Sequence, residues 1–234
     1  MTDERPIGLL EGLGTTRAIR RYRADPVPDH HLTAMLFAAT RAPSGSNRQP
    51  FRFLVLRDGP SATEAKAVLG RSFRARWAAK RQADGYDAGS GADPASAKGR
   101  MATTMQRFVD RFEQTPVVVL ACLERSRPGD PYEGASVYPA CQNLLLAARA
   151  LGYGGVMTVW HAPVEGELRT VLGIPEDVFI AATIPLGRPE GSHGPVRRRP
   201  LRALVFDDRW RAVAPWATEP PGTHHTGARS PRSR

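Results

Sequence analysis

The segment YPACQNLLLAARALG, residues 138–152, restricts the possible folds more than any other part of the sequence. Its apolar side chains recur at helical spacing, and Gly152 supplies a C-terminal stop. The residues that share one face are Tyr138, Cys141, Leu144, Leu145 and Ala148. Apolar residues also occupy most of the remaining circumference, so the helix has to be covered on most sides. We therefore predict that it is the buried spine of the domain.

Four short apolar runs are typical of β-strands. They cover residues 51–58, 117–123, 155–160 and 179–186. The run at 117–123 is apolar throughout, as expected of a central strand. Helical spacing of apolar residues after Asp29 predicts a capped amphipathic helix over residues 29–41. The chain of 234 residues, 41% of them hydrophobic, is therefore expected to fold as one α/β domain.

The composition changes along the chain and suggests its organisation. We expect residues 1–14 to form an N-terminal arm, residues 15–212 the domain, and residues 213–234 a disordered tail with few apolar side chains. An insertion at about residues 61–114 contains helix-like pieces and a mobile Gly-, Ser- and Ala-rich loop. Phe73, Trp77 and Tyr86 are aromatic residues of this insertion that could cover a ligand. The insertion is either a lid over a ligand or a solvated excursion.

The charge is strongly basic, with a formal net charge of +10 from 30 Arg and only 3 Lys. This excess has two interpretations: a bias of the coding sequence, or guanidinium groups that bind phosphate through two-point contacts. A non-enzymatic nucleic-acid-binding protein is the alternative of a different class. The dispersion of the basic residues argues against it, because only Arg197, Arg198 and Arg199 form a dense cluster outside helices.

Other classes of protein are not favoured. No apolar stretch is long enough for a membrane span, and the N-terminus lacks the pattern of a signal peptide, so we expect a cytoplasmic protein that does not enter a membrane. Cys122 and Cys141 are expected to be buried, reduced thiols. The pair His224 and His225 lacks supporting carboxylates, and we predict no metal site.

Three distant segments each suit a flat, anionic cofactor. TTRAIRRYRADPVP places arginines beside Tyr22, PSGSN offers small residues with hydroxyl and amide groups, and GPVRRRPL is a cationic turn. Each segment alone could be an ordinary solvated loop. Their joint presence favours one binding site built from all three.

These segments, together with SVYPACQNLLLAARALGYGG and GIPEDVFIAATIPLGRPEG, resemble the signature blocks of the nitroreductase flavoprotein family, which includes iodotyrosine deiodinase and the flavin-destroying benzimidazole synthase. The resemblance spans roughly residues 15–201. It implies an α/β fold with a central mixed, mostly antiparallel sheet flanked by helices. It also implies an intertwined homodimer with a long buried helix at the interface and two FMN sites, each built by both subunits.

The resemblance also implies roles for individual residues. The first FMN block, in which arginines bind the phosphate and one basic residue faces the flavin pyrimidine edge, contains Thr16, Arg17, Ala18 and Arg20. Ala18 replaces the family's usual serine. The block contributed by the partner subunit contains Ser44, Gly45 and Asn47. Backbone groups along the isoalloxazine come from Thr158, Val159 and Trp160. Arg198 falls on a late phosphate ligand, which Arg197 or Arg199 could replace.

The implied activity is transfer of a hydride from NADH or NADPH, through FMN, to a nitroaromatic, quinone or conjugated small-molecule acceptor. Variants with the same fold would bind a deazaflavin or carry out a benzimidazole-synthase or dehalogenase reaction. No side chain is required as a catalytic acid or base, and no nucleophilic triad appears at usable spacing. His161, beside Trp160, either contacts the substrate or is structural. The absence of GxGxxG after a strand fits a donor that docks transiently above the flavin.

Overall fold

The computed structural model describes residues 7–125, 129 and 131–221. Six helices and four strands follow one another along this part of the chain. They are α1 (Leu9–Thr15), α2 (Asp29–Ala39), β1 (Phe51–Leu56), α3 (Pro60–Ala83), α4 (Ala97–Asp110), β2 (Val117–Glu124), α5 (Tyr138–Ala150), β3 (Gly154–Gly155), α6 (Glu165–Leu172) and β4 (Val178–Gly187). The predicted α/β class is confirmed.

The strands form one sheet in the order β1-β2-β4-β3, and every pairing between its named strands is antiparallel. The expected sheet was mixed and mostly antiparallel, and the observed strands pair only in the antiparallel direction. Strand β2 is central, as predicted, because it pairs with β1 on one side and β4 on the other. Alternate residues of β2 face opposite sides of the sheet.

Each face of the sheet has its own core. The odd-numbered residues of β2, from 117 to 123, pack with α2 and α5. Its residues 118, 120 and 122 pack with α3, α4 and α6. The molecule thus has three layers, with helices on both faces of an apolar sheet.

The spine helix is confirmed as α5. Its buried residues are Ala140, Cys141, Leu144 and Ala148. Gly152 follows with a φ of 78°, a left-handed conformation that favours glycine and ends the helix. Leu145 and Leu146 are only half-buried in the single chain, so part of the apolar surface of α5 is still accessible.

The prediction of a continuous strand over residues 155–160 is wrong. Only Gly154 and Gly155 pair with β4 as a strand, and an isolated bridge between Thr158 and Thr183 follows. The backbone N–H of Val156 donates to the carbonyl of Pro185 at 3.3 Å. Pro185 has no N–H to return the bond, so the ladder is interrupted at this point.

The helix expected from Asp29 begins at that residue and ends at Ala39, but the side-chain cap is wrong. Pro28 occupies the N-cap position, and no side chain caps the helix. The Asp29 carboxylate instead accepts a hydrogen bond from the Arg57 guanidinium at 2.5 Å.

The helices of the insertion pack into the second core, although most residues of the loop between them are exposed. Phe73 and Trp77 are completely buried in the second core, so neither is available to cover a ligand. The loop backbone approaches the start of α4 closely: a Cβ on Gly99 of α4 would overlap the carbonyl oxygen of Asp93. The Lys98 ammonium donates to two backbone carbonyls of the loop, each at 2.8 Å. The mobility of this loop and its role in covering a ligand both stay predictions.

The expected domain boundaries remain predictions. Helix α1 crosses the expected end of the arm at residue 14. Ala214 and Ala217 are buried, so the start of the expected tail contacts the domain. Residues 1–6 of the arm and residues 222–234 of the tail, with the pair His224 and His225, lie outside the described residues.

Candidate functional site

The first arginine block runs as an extended segment beside the sheet. The backbone N–H of Ile19 donates to the carbonyl of Gly155 at 3.0 Å, and Tyr22 forms a bridge with Pro189. Ile19 is buried, whereas Arg17 and Ala18 are exposed and Arg20 is half-buried. The Thr16 hydroxyl donates to the carbonyl of Gly12 at 2.7 Å. The sheet edge thus holds the backbone of this block in place.

A cationic cavity of about 260 Å³ opens beside this segment. Five arginines line it: Arg20, Arg21, Arg23, Arg107 and Arg111. The only carboxylate in its lining belongs to Glu190, which already accepts a hydrogen bond from Arg107 at 2.7 Å. The cavity therefore has a large excess of positive charge and suits an electron-rich or anionic group.

Arg20 is the only half-buried arginine of these five. Within the described part of the chain, its guanidinium makes no hydrogen bond or ion pair. Burial lowers the pKa of Arg20 from its ordinary value, and the nearby phenols of Tyr22 and Tyr86 partly oppose this shift. Arginine nevertheless remains charged at any physiological pH. A half-buried cation without a partner is costly, and an anionic ligand would compensate it.

The segment around residues 194–198, the last part of the chain that resembles the family, contacts the start of the first block. The backbone N–H groups of Gly194 and Val196 donate to the carbonyls of Thr15 and Gly14, each at 3.1 Å. Arg198 follows two residues later and is exposed, and its guanidinium donates only to the Arg197 carbonyl. Arg197 and Arg199 are exposed as well, so the geometry does not distinguish a phosphate ligand among the three.

His193 connects this late segment to the first block. Its Nε2–H donates to the carbonyl of Tyr153 at 2.9 Å, and its Nδ1 accepts from the backbone N–H of Arg17 at 3.2 Å. Burial, opposed by the hydrogen bond to Tyr153, lowers the pKa of His193, and the neighbouring cations Arg149 and Arg17 lower it further. The neutral ring therefore fixes the position of Arg17.

The segment Thr158 to Trp160 forms an exposed turn after the bridge to β4. The Thr158 hydroxyl accepts from the backbone N–H of Trp160 at 3.3 Å. Val159 projects outward with 49% of its surface exposed. Among the described residues, no acceptor bonds the backbone N–H of Val159. This N–H is therefore available to a ligand.

The PSGSN block lies elsewhere in the same chain. The Gly45 N–H donates to the Ser136 hydroxyl at 3.2 Å, just before α5 begins, while the Arg17 block contacts the residues that follow α5. Helix α5 has 13 residues and is about 20 Å long. In one protomer the first block thus contacts the last block and Gly155, three residues before Thr158, whereas Ser44, Gly45 and Asn47 lie at the far end of α5.

The PSGSN block also contains unusual backbone conformations. Ser46, Asn47 and Gln49 all adopt the left-handed region, with φ values of 54°, 51° and 51°. The Ser44 hydroxyl supports this conformation by accepting from the backbone N–H of Gln49 at 2.9 Å. Strained backbone of this kind is concentrated at functional sites.

Three cationic residues near the site were not predicted from the sequence. Arg107 and Arg111 stand four residues apart at the end of α4, a spacing that places both on one side of a helix. That spacing was the available signal, but only the fold shows that this end of α4 faces Arg20. Arg149 was not recognised as a candidate because it lies within the mostly apolar pattern of α5. Its Nε is the only buried side-chain nitrogen or oxygen of the described residues without a hydrogen-bond partner.

The two cysteines are buried thiols that are protonated at neutral pH. Cys122 and Cys141 are free and buried, as predicted, and burial raises their pKa values to about 11 and about 12. In residues 7–125, 129 and 131–221 no group of three or more His, Cys, Asp or Glu side chains could hold a metal ion. No helix in the same part of the chain combines the length and hydropathy of a membrane span.

The fold and the cavity define an α/β protein with a cationic cavity beside its sheet edge, and comparison with known proteins gives the family. The description "Nitroreductase family" matches residues 13–188. An NADH dehydrogenase from Thermus thermophilus is 32% identical over 202 residues, which cover 83% of this chain and 92% of that protein. The chain therefore belongs to the nitroreductase family, and it is an oxidoreductase.

Solved structures agree with this assignment. A crystal structure described as a nitroreductase in complex with FMN, from Desulfovibrio desulfuricans, has 26% identity and a TM-score of 0.63, and the match covers 88% of this chain and 99% of that one. An iodotyrosine deiodinase bound to FMN and 3-iodo-L-tyrosine has the same TM-score with 23% identity, covering 87% of this chain and all of that one. The latter likeness concerns the fold alone.

Proposed function

We propose that this protein is an NAD(P)H-dependent oxidoreductase that binds FMN between two copies of the chain and reduces a nitroaromatic, quinone or conjugated small molecule. The observation that carries the proposal is the half-buried, uncompensated guanidinium of Arg20 in a cavity lined by five arginines. Bound FMN would accept a hydride from the nicotinamide and deliver it to the acceptor. The relative that forms an FMN complex supports this choice of cofactor.

The residues present fit the chemical groups of FMN. Arg20 would face the N1 and O2 edge of the pyrimidine ring, where reduction places negative charge. Arg107 and Arg111 line the same cavity and would add to the positive field. Arg17 and Arg198 would hold the phosphate through charged hydrogen bonds, with Thr16 beside them. Ala18, in contrast, offers no hydroxyl to the cofactor.

The turn of Thr158, Val159 and Trp160 would lie along the isoalloxazine. Its unpaired Val159 N–H is a donor that needs no rearrangement to meet a ring acceptor. Ser44, Gly45 and Asn47 would contribute from the partner subunit. No side chain is assigned as a catalytic acid or base. His161, the histidine next to this turn, is buried, and both of its ring nitrogens are already hydrogen-bonded.

Three features support a shared site in a homodimer. The PSGSN block lies at the opposite end of α5 from the first block in one chain, and α5 is about 20 Å long. The cavity of about 260 Å³ is below the roughly 300 to 1,000 Å³ of ordinary ligand pockets, so it accommodates only part of a cofactor. Leu9, Leu10, Trp210 and Val213 each expose more than 70% of their surface, as expected of apolar residues that a second copy covers.

Visible absorption of the purified protein tests the proposal. We expect a flavin spectrum, or the appearance of bound FMN after reconstitution, and bleaching when NADH or NADPH is added without oxygen. Comparing the two donors and a panel of nitroaromatic and quinone acceptors then defines the reaction. Colourless protein that takes up no FMN would contradict the proposal, and salt-sensitive retention of that protein on DNA would support the nucleic-acid alternative instead.

A further inference from the structure

His161 is a buried histidine directly after the Thr158 to Trp160 turn. Only 2% of its surface is exposed. Its Nε2 lies 2.8 Å from the carbonyl oxygen of Ile180, and its Nδ1 lies 3.0 Å from the Thr183 hydroxyl. A carbonyl oxygen can only accept, so Nε2 carries the hydrogen and Nδ1 accepts from Thr183. Both nitrogens of the ring are therefore engaged in the direction that a neutral imidazole requires.

Thr183 holds the same turn a second time through its backbone. The Thr158 N–H donates to the Thr183 carbonyl at 3.0 Å, and the Thr183 N–H donates to the Thr158 carbonyl at 2.8 Å. Thr183 is completely buried in β4. The turn is thus tied to one rigid strand at its beginning by Thr158 and at its end by His161.

Between these two anchors lies Val159, whose backbone N–H has no acceptor in the described part of the chain. Regular strand pairing with β4 does not hold this segment, because Pro185 interrupts the ladder of hydrogen bonds. Without the His161 side chain, the end of the turn would keep only the bond that the Ser72 hydroxyl donates to the Trp160 carbonyl at 2.5 Å, the bond from the Trp160 N–H to the Thr158 hydroxyl at 3.3 Å, and the local bonds that begin the next helical turn. The orientation of the Val159 N–H therefore depends on the contact between His161 and Thr183.

We infer that His161 and Thr183 are positioning residues that orient the Val159 N–H toward the ring system of the bound flavin. The inference rests on the proposed function, and it assigns His161 to the protein scaffold rather than to the substrate. A donor held in a fixed direction acts on a bound ring without a cost of reorganisation during the reaction. Removing the Thr183 hydroxyl should loosen this donor although neither residue touches the reacting atoms.

The test compares Thr183→Val with Thr183→Ser in the full-length protein. Valine keeps the shape and the backbone pairing but removes the hydroxyl, whereas serine keeps the hydroxyl. We expect Thr183→Val to bind FMN but to show a shifted visible flavin spectrum, a lower midpoint potential and flavin reduction by NAD(P)H that is slower by about tenfold. In the FMN-free protein, amide hydrogen exchange over residues 157–162 should be faster. Thr183→Ser should resemble the parent in all four measurements.

Ile184→Val is the matched control, because it removes buried volume from the same strand without touching His161. If Thr183→Val and Ile184→Val lose similar thermal stability but neither shifts the spectrum, the potential or the exchange, the His161 and Thr183 pair is merely structural and the inference is overturned. His161→Asn retains an acceptor near the Nδ1 position and should fall between the parent and Thr183→Val. A parent protein that binds no FMN would contradict the proposed function instead, whereas normal exchange in FMN-free Thr183→Val would contradict the inference by itself.

Discussion

At the scale of single residues, the proposed position of the Arg20 charge predicts how it would affect reduction of the flavin. A guanidinium that faces the N1 and O2 edge interacts weakly with neutral oxidised flavin and strongly with the anionic reduced form. Its partial burial without a partner is costly in the empty protein, and in the proposed role its contribution would lie mainly in the reduced complex. Arg17 and Arg198, which are exposed, should instead act mainly on phosphate binding.

Arg20→Ala should therefore retain oxidised FMN while lowering its midpoint potential. Loss of one charged hydrogen bond of about 1.5 to 3 kcal/mol corresponds to a drop of about 30 to 65 mV for a two-electron couple. Spectroelectrochemical titration measures this shift. Arg76→Ala, which removes an exposed charge outside the cavity, is the control and should leave the potential unchanged. An unchanged potential in flavin-loaded Arg20→Ala would refute the role assigned to Arg20.

Arg198→Ala should weaken FMN retention by about 1.5 to 3 kcal/mol through loss of a charged hydrogen bond to phosphate. The fold should be intact, since the Arg198 side chain is exposed and bonds only the neighbouring Arg197 carbonyl. Dialysis followed by flavin quantification measures retention, with Arg197→Ala and Arg199→Ala prepared in parallel. If only one of these neighbours loses FMN, the phosphate ligand is that neighbour and the register of the resemblance shifts by one residue.

The buried histidines predict how stability depends on pH. Burial lowers the pKa of both His161 and His193 from the ordinary value of 6.5, so the unfolded chain binds protons more readily than the folded one. Their contribution to stability is fully present above 6.5 and is lost as the pH falls from there through the lowered values. Thermal unfolding of FMN-free protein should show this decrease. His193→Asn should have a shallower decrease than the parent, and an equal slope would show that His193 does not titrate in this window.

At the scale of elements, sequence periodicity found α2, α5, β1, β2 and β4 because each is a regular apolar pattern on a buried face. It failed for β3, since the interruption depends on Pro185 in the opposite strand and not on the apolar run itself. The cavity likewise combines residues that a local pattern reveals with residues that only the packing of distant segments brings together. Arg20 lies in a local motif, but its grouping with Arg107 and Arg111 depends on how α4 packs against the sheet edge, which a local pattern does not encode.

The loop between α3 and α4 should be a structural element, because Gly99 at the start of α4 permits close packing against the loop backbone. Gly99→Ala places a Cβ against the Asp93 carbonyl and should destabilise the protein by about 1 to 3 kcal/mol. Gly166→Ala in α6 is the matched control, since the new Cβ meets no atom within 4 Å and a helical alanine should be neutral or stabilising by up to about 1 kcal/mol. Equal denaturant midpoints for parent and Gly99→Ala would show that the loop yields to the added methyl group.

At the scale of the whole molecule, the proposed FMN site would need two copies of the chain, because Ser44, Gly45 and Asn47 lie at the opposite end of α5 from the first and last blocks. Exposed apolar side chains on α1 and in the segment after residue 204 offer surface for a second copy, and the half-buried Leu145 and Leu146 on α5 extend that surface. Sedimentation should therefore find a stable homodimer. A stable monomer that still holds FMN would contradict the shared site.

The decisive prediction concerns which chain supplies each part of one site. Arg198→Ala and Asn47→Ala homodimers should each hold FMN weakly at both sites, because every site lacks one contact. In a mixed dimer with shared sites, one site combines both defects, while the other combines an intact Arg198 with the partner subunit's intact Asn47. Tight binding should thus return at one site per dimer. If each site instead belonged to a single chain, both sites of the mixed dimer would keep one defect and tight binding would not return. Co-expression with two different affinity tags, tandem purification and FMN titration distinguish a stoichiometry of one tight site from none.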